Sequence, residues 1–330
     1  MTRPYWTAVA LGISTLALSL PFTPACSSTP QRSALAPLSP IQPPGMDQSA
    51  PADLPGLHNI VAFHDNYLSG SVPESDQGFE TLRAMGVRTI ISVDGAEPDV
   101  ARARLHGIRY IHLPIGYNGF DEARKLQLAR ATRDALADGP VYIHCHHGKH
   151  RSAGAAAAAA VTLGWSTPDQ AVERMKVSGT APSYTGLYQC AADAVAVSAT
   201  TLDAVPADFP EVSKPATFVK GMVEMEHAYH HLRAIEKAGW KVPANHPDLV
   251  PAAESGRLAD LFRNALATDY ARSKPADFTQ MLKEDHQRAQ QLEDWLVAGD
   301  VPPAQLTHQL NLIGASCKAC HTTYRDKAAW

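Results

Sequence analysis

No surplus of charge of either sign marks this chain: 29 lysine and arginine residues are set against 33 aspartates and glutamates, a formal net charge of −4 over 330 residues. Without a basic excess there is no electrostatic footprint for nucleic acid, and no acidic tail offers a solvating or interaction arm. No sequence period recurs, which excludes a repeat array. Cysteine is scarce, five in all, so each must be accounted for singly. Long apolar runs are missing too, except at the N-terminus. There Trp6 to Leu20 follows Arg3 and gives way to a proline-rich segment. That run is short and flanked as a secretory signal is, not as a spanning helix.

What is present is an ordinary globular composition, 45% hydrophobic and 19% charged, long enough for two domains. Residues 1–26 read as the signal. Its end, Thr23-Pro24-Ala25-Cys26, resembles a bacterial lipoprotein box at Ala25 and Cys26 but not at the two residues before them. Lipidation at Cys26 and simple cleavage both stay open. Residues 27–56 are rich in proline, serine and alanine and read as a disordered tether. A block over 57–198 alternates β-rich and helical runs, a linker follows at 199–213, and residues 214–330 are helical throughout.

In the first block, strand-like runs fall at 59–63, 88–93, 110–115 and 141–144. Helical spacing falls at 75–86 and 121–139, each stopping at a glycine. Thr167-Pro168-Asp169-Gln170 is a capping box that opens a further helix. Strands alternating with helices predict an α/β fold with a mostly parallel central sheet and flanking helices.

The stretch Val141-Tyr142-Ile143-His144-Cys145-His146-His147-Gly148-Lys149-His150-Arg151-Ser152 passes from strand to loop to an alanine-rich helix. Loop amides meeting a helix N-terminus make an anion site. A thiol there ionises readily, which makes Cys145 a nucleophile. Arg151 grips two phosphate oxygens at once. Gly148 allows the tight turn, and Ser152 donates to the sulfur. The chemistry is in-line phosphoryl transfer through a cysteinyl-phosphate.

These residues resemble the His-Cys-x5-Arg-Ser/Thr signature of the cysteine-based protein tyrosine and dual-specificity phosphatases, over roughly 57–195. The resemblance implies a phosphate cradle of His146, His147, Gly148, Lys149, His150 and Arg151, with Cys145, Arg151 and Ser152 catalytic. The general acid of that family is displaced. Gly116-Tyr117-Asn118 stands where many relatives carry an aspartate, and the nearest carboxylate is Asp121, which serves equally well as a helix N-cap. Asp94, at a strand end, reads as structural. Lys149 and the histidines would suit a multiply charged substrate: a phosphoprotein, a phosphoinositide or an inositol phosphate.

The second block divides into helices near 214–238, 247–272, 276–298 and 303–328. Short connections predict a four-helix bundle. Its last helix holds Cys317-Lys318-Ala319-Cys320-His321, the attachment motif of c-type haem. Two thiols three residues apart share one helix face, and His321 supplies the proximal imidazole. Cys-Lys-x-Cys-His-x-x-Tyr-Arg in this position resembles the cytochrome c′ family and its low-spin relatives, which implies one covalent haem c. Met222 or Met225, on the inward stripe of the first helix, would be a sixth ligand. Met222 is preferred for its place nearer the helix start, against the alternative that both only pack. His227, His230 and His231 are expected to face solvent.

The combined expectation is an exported, periplasmic phosphatase of phosphate monoesters fused to a haem domain that transfers electrons or senses redox state or a small gas. A periplasmic redox partner is expected, and membrane contact only through a lipid on Cys26. Two other readings stay open: a phosphate-binding sensor without turnover, and an electron-transfer cytochrome with a tethered phosphatase-like domain. A reversible Cys145–Cys190 disulfide would protect the nucleophile.

Overall fold

The computed structural model describes residues 1–2, 38–213 and 218–325. The apolar N-terminal run and Cys26 lie outside the described residues, as do 214–217 and 326–330. No helix among the described residues is long and apolar enough to cross a membrane.

Six strands form one sheet in the order β1-β2-β3-β6-β4-β5. They are β1 (Ala52–Leu54), β2 (Leu57–His64), β3 (Tyr67–Gly70), β4 (Thr89–Ser92), β5 (Arg109–His112) and β6 (Val141–His144). The four strands from β3 to β5 in that order are parallel, whereas β1 and β2 extend the sheet antiparallel. The sheet is therefore mixed, where the sequence pattern predicts mostly parallel pairing. The difference lies in the segment read as a tether. Its end, Ala52–Leu54, pairs with β2, and Ile41 donates its amide to Ala84 O at 3.1 Å.

The register aligns the strand ends that matter. Gly70, Ser92 and His112 all sit level with His144 or with its neighbour across the ladder. The loops leaving β4, β5 and β6 thus open along one edge, where open parallel sheets bind ligands.

One face of the sheet carries α1 (Ser75–Ala84) and α2 (Val100–Leu105), and the other α3 (Glu122–Ala135), α4 (Arg151–Thr162), α5 (Pro168–Val177) and α6 (Thr185–Ala192). The capping box at Thr167 forms as predicted, with Gln170 reciprocating. Every residue of α4 is buried. Its run of alanines is explained by packing as much as by propensity, because only small side chains let a helix be enclosed on all sides.

Residues 199–213 are not a free linker. Ala199–Asp203 forms α7, and Ser213 and Pro210 bond to His112 at the end of β5, at 2.7–3.1 Å. The helical block then comprises α8 (Phe218–Lys237), α9 (Pro251–Leu266), the single turn α10 (Asp269–Arg272), α11 (Ala276–Ala298) and α12 (Pro303–Cys320), ending in a π turn over His321–Arg325. Helix α9 packs on α8 and α11, and α11 on α12, while α12 meets α8 only lightly. Leu258, Phe262, Leu282, Leu292, Leu310 and Ile313 fill the core between them. From Pro37 onward the chain is one compact unit, and α9 serves both halves. Ala252 and Ala253 sit in the core of the α/β half, and Leu258, Ala259 and Phe262 in that of the helical half.

Candidate active site

Cys145 follows β6 directly and lies at the floor of the loop 145–150, 4% exposed. Its thiol donates to Ser152 Oγ at 3.4 Å, and Ser152 Oγ donates onward to Gly70 O at 3.5 Å. With the sulfur ionised, the Ser152 hydroxyl is placed to turn and donate to it. The loop carbonyls are bonded from outside. Val72 N donates to His146 O (3.0 Å), Asn59 Nδ2 to Gly148 O (3.1 Å) and Thr180 Oγ1 to Lys149 O (2.6 Å). No cis peptide occurs among the described residues, so the amides of His147, Lys149 and His150 point the opposite way from those carbonyls. Their N–H groups are thereby turned away from the bonded outer side of the loop that leads into α4.

Gly148 makes the turn possible. Its φ is +76°, and a Cβ there would fall 2.3 Å from the Gly70 carbonyl carbon and 2.5 Å from Ser71 N. Both the left-handed backbone and the close approach exclude a side chain.

Arg151 opens α4 and is 2% exposed. Nη2 faces Asp94 at 3.4 Å and Nη1 meets Asp260 at 2.6 Å, while the Tyr117 ring lies 4.2 Å from the guanidinium carbon. Arg263 closes a ring of alternating charge, with Nη2 at 2.5 Å from both Asp94 and Asp260. Burial works to raise the Asp94 carboxyl, but Arg263 and Arg151 outweigh it and hold the group far below the ordinary carboxylate range. In Asp260 burial wins, and its pKa is raised against the pull of Arg151 and Arg263. Arg151 Nε keeps a buried N–H with no hydrogen-bond partner, a donor that a phosphoryl oxygen would satisfy.

The remaining predicted residues fall into place unevenly. His146 and His150 are desolvated and pushed down to about 3, and His144 to about 4. These three rings are neutral at pH 7, so the positive field expected from them is absent; Arg151 carries the cradle's charge, and Lys149 stays exposed at its rim. Asp121 caps α3, accepting from Arg124 N at 2.8 Å, and is exposed. Cys190 is a free thiol bonded to the backbone of Phe120, and Cys145 is free as well. Asp94, read from the sequence as structural, faces the Arg151 guanidinium. Asp260, Arg263 and Glu293 were not legible as site residues at all. Glu293, on α11, accepts from Tyr184 Oη at 2.7 Å, and burial pushes its carboxyl up to about 7.

At the far end of the helical block, Cys317 and Cys320 are half-buried and pack against the same core as Met222, Phe218 and Tyr324. Burial pushes the Cys317 thiol up to about 12. Met225 is buried in that core, and His321 is half-buried where the π turn begins. His227 and His230 are exposed, whereas His231 is half-buried and bonded to Glu254 at 2.8 Å.

No family model matches the chain, and no curated relative does. Among solved structures, TpbA of P. aeruginosa is similar at 24% identity over 44% of this chain and 96% of its own, with a TM-score of 0.35. Human DUSP28 is similar at 19% identity over 44% of this chain and 97% of its own, with a TM-score of 0.35. The core catalytic domain of the PP-IP phosphatase SIW14 from S. cerevisiae is similar at 17% identity over 52% of this chain and 90% of its own, with a TM-score of 0.32.

Proposed function

We propose that the α/β half is a cysteine-dependent phosphatase that hydrolyses phosphate monoesters. One arrangement carries this reading: Cys145 Sγ with Ser152 Oγ at 3.4 Å, on a loop whose carbonyls are bonded outward, and a buried, unpartnered Arg151 Nε–H at the start of the following helix. The thiolate attacks phosphorus, and the P–O bond to the leaving group breaks as that oxygen takes a proton. Water then attacks the cysteinyl-phosphate, the S–P bond breaks, and phosphate leaves as the thiolate is restored. Loop amides and Arg151 stabilise the charge gathering on the equatorial oxygens. Phosphoproteins, phosphoinositides and inositol phosphates all present the group this cradle takes. With His146 and His150 of the loop buried and neutral, one phosphoryl group rather than a cluster of them is the better match.

The haem-attachment motif supports a second element, one covalent haem c on Cys317 and Cys320. The donor set fits it, for the two thiols lie on one face of α12 against the same apolar, aromatic core on which Met222 packs. His321 and Met222 would be the residues to hold the iron. When bound, the group supplies electron transfer or sensing of redox state or a small gas. Haem c is attached outside the cytoplasm, which agrees with an exported, periplasmic chain, a periplasmic redox partner, and membrane contact only through lipid on Cys26.

The test is hydrolysis of an aryl phosphate by the full, haem-loaded chain beside Cys145→Ser, with acid-quenched protein digested for mass analysis. The expected result is a phosphorylated Cys145 peptide in the wild type and no turnover in the variant. Equal hydrolysis by both would refute the cysteinyl-phosphate route.

A further inference from the structure

The edge at which a substrate would enter is covered by the chain's own helical block. Asn264 Nδ2 on α9 donates to Gly95 O at 2.9 Å, and Asp260 holds Arg151 Nη1. Gly256 lies so near the loop after β5 that a Cβ would fall 2.9 Å from Tyr117 Cζ, and 2.7 Å from Glu293 Oε1. Ala252 and Ala253 join the core that contains Cys145 and Tyr184.

The contacting residues 253, 256, 260 and 264 recur at helical spacing and so form one stripe of α9. That stripe is made of small and polar side chains. The large apolar ones, Leu258 and Phe262, pack into the helical core instead. A stripe of alanine, glycine, aspartate and asparagine itself buries little apolar area, so what holds α9 at the cradle is chiefly the buried ring of Arg151, Asp260, Arg263 and Asp94.

A two-point grip on a phosphoryl group needs two neighbouring guanidinium N–H donors. Here Nη1 is held by Asp260 and Nη2 faces Asp94, which leaves Nε alone. We propose that α9 is an intramolecular inhibitor: the Asp260 carboxylate occupies Arg151 in place of a substrate's phosphoryl group, and α9 must leave the cradle before a phosphate monoester binds. The identity of the displaced ligand rests on the phosphatase reading; the closure itself does not.

If the open form is a tenth or less of the population, the apparent affinity for any oxyanion falls by at least about tenfold. Orthovanadate, a phosphate-like oxyanion, is titrated against the full haem-loaded wild type, Asp260→Asn and Asn264→Ala, alongside aryl phosphate hydrolysis. Asp260→Asn keeps the shape and removes the charge. It is expected to bind vanadate at least about tenfold tighter (about 1.4 kcal/mol), with kcat/KM rising in step. Asn264→Ala, which removes one exposed hydrogen bond away from the cradle, is expected to tighten binding by roughly two- to threefold.

Unchanged or weaker vanadate binding by a folded Asp260→Asn would overturn the proposal, since Asp260 would then be holding Arg151 in its working position. Should that variant fail to fold, unchanged affinity in Asn264→Ala overturns it instead. Tighter vanadate binding with no hydrolysis by any variant would uphold the closure and overturn the phosphatase reading alone.

Discussion

Gly148 and Gly179 form a matched pair whose comparison tests how tightly the cradle is built. Both are glycines in left-handed backbone, at φ +76° and +77°. An alanine at either position takes on the left-handed strain, about 1–2 kcal/mol. Their surroundings differ. A Cβ on Gly179 meets nothing within 4 Å, whereas one on Gly148 meets backbone atoms of Gly70 and Ser71 at 2.3–2.8 Å. Backbone cannot rotate aside as a side chain can, so the loop itself must move, which adds about 1–3 kcal/mol.

Gly179→Ala is therefore expected to lose about 1–2 kcal/mol, and Gly148→Ala about 2–5 kcal/mol in all. Denaturant unfolding of the two variants beside the wild type measures both numbers. The displacement would also carry the inward amides out of register, so vanadate binding should collapse in Gly148→Ala and persist in Gly179→Ala. Equal destabilisation of the two, with oxyanion affinity kept in both, would refute the claim that the Gly70–Gly148 contact sets the loop.

Two further predictions concern the helical half. Glu293 keeps its proton to about pH 7 when folded and gives it up near 4.5 when unfolded. The stability linked to it is fully present below pH 4.5 and lost as pH rises through 7, a change of about 3 kcal/mol. Glu293→Gln should flatten that part of the stability–pH curve, and parallel curves for the two proteins would show that the carboxyl is not held protonated. In a host that attaches haem c, the peptide containing Cys317 and Cys320 should gain one haem, and Cys317→Ser with Cys320→Ser should abolish it. An unmodified peptide of two free thiols would remove the cofactor, while an unaltered spectrum in Met222→Ala would leave Met222 a packing residue.

The cradle was legible because its chemistry is local. Cys145, Gly148, Arg151 and Ser152 lie within eight consecutive residues, and a strand and a helix that are contiguous in sequence bring them together. Asp260 and Glu293 were hidden for the opposite reason. A carboxylate on an amphipathic helix reads as solvated, and nothing in the sequence of α9 or α11 says which surface it meets. The partner of Asp94, Arg263, lies 169 residues away, so their pairing could not be read from the sequence. That His146 and His150 are neutral was not readable either, since composition counts titratable groups but burial decides their protonation. Strand β1 was missed because three residues flanked by Pro51 and Pro55 carry no periodicity, and only the partner strand makes them one.

The enclosure of α4 has a mechanical consequence. Twelve residues make a rod about 18 Å long, with Arg151 at one end and no exposed side anywhere along it. A single extra methylene among Ala155–Ala160 has no free volume to enter, so the rod must pivot. A tilt of about 5° would swing its end by about 1.5 Å, and an error of about 1 Å in a reacting group costs on the order of a hundredfold in rate. The alanines therefore act as a bearing, and the tolerance of the guanidinium's position is machined at the opposite end of the helix, far from any phosphate.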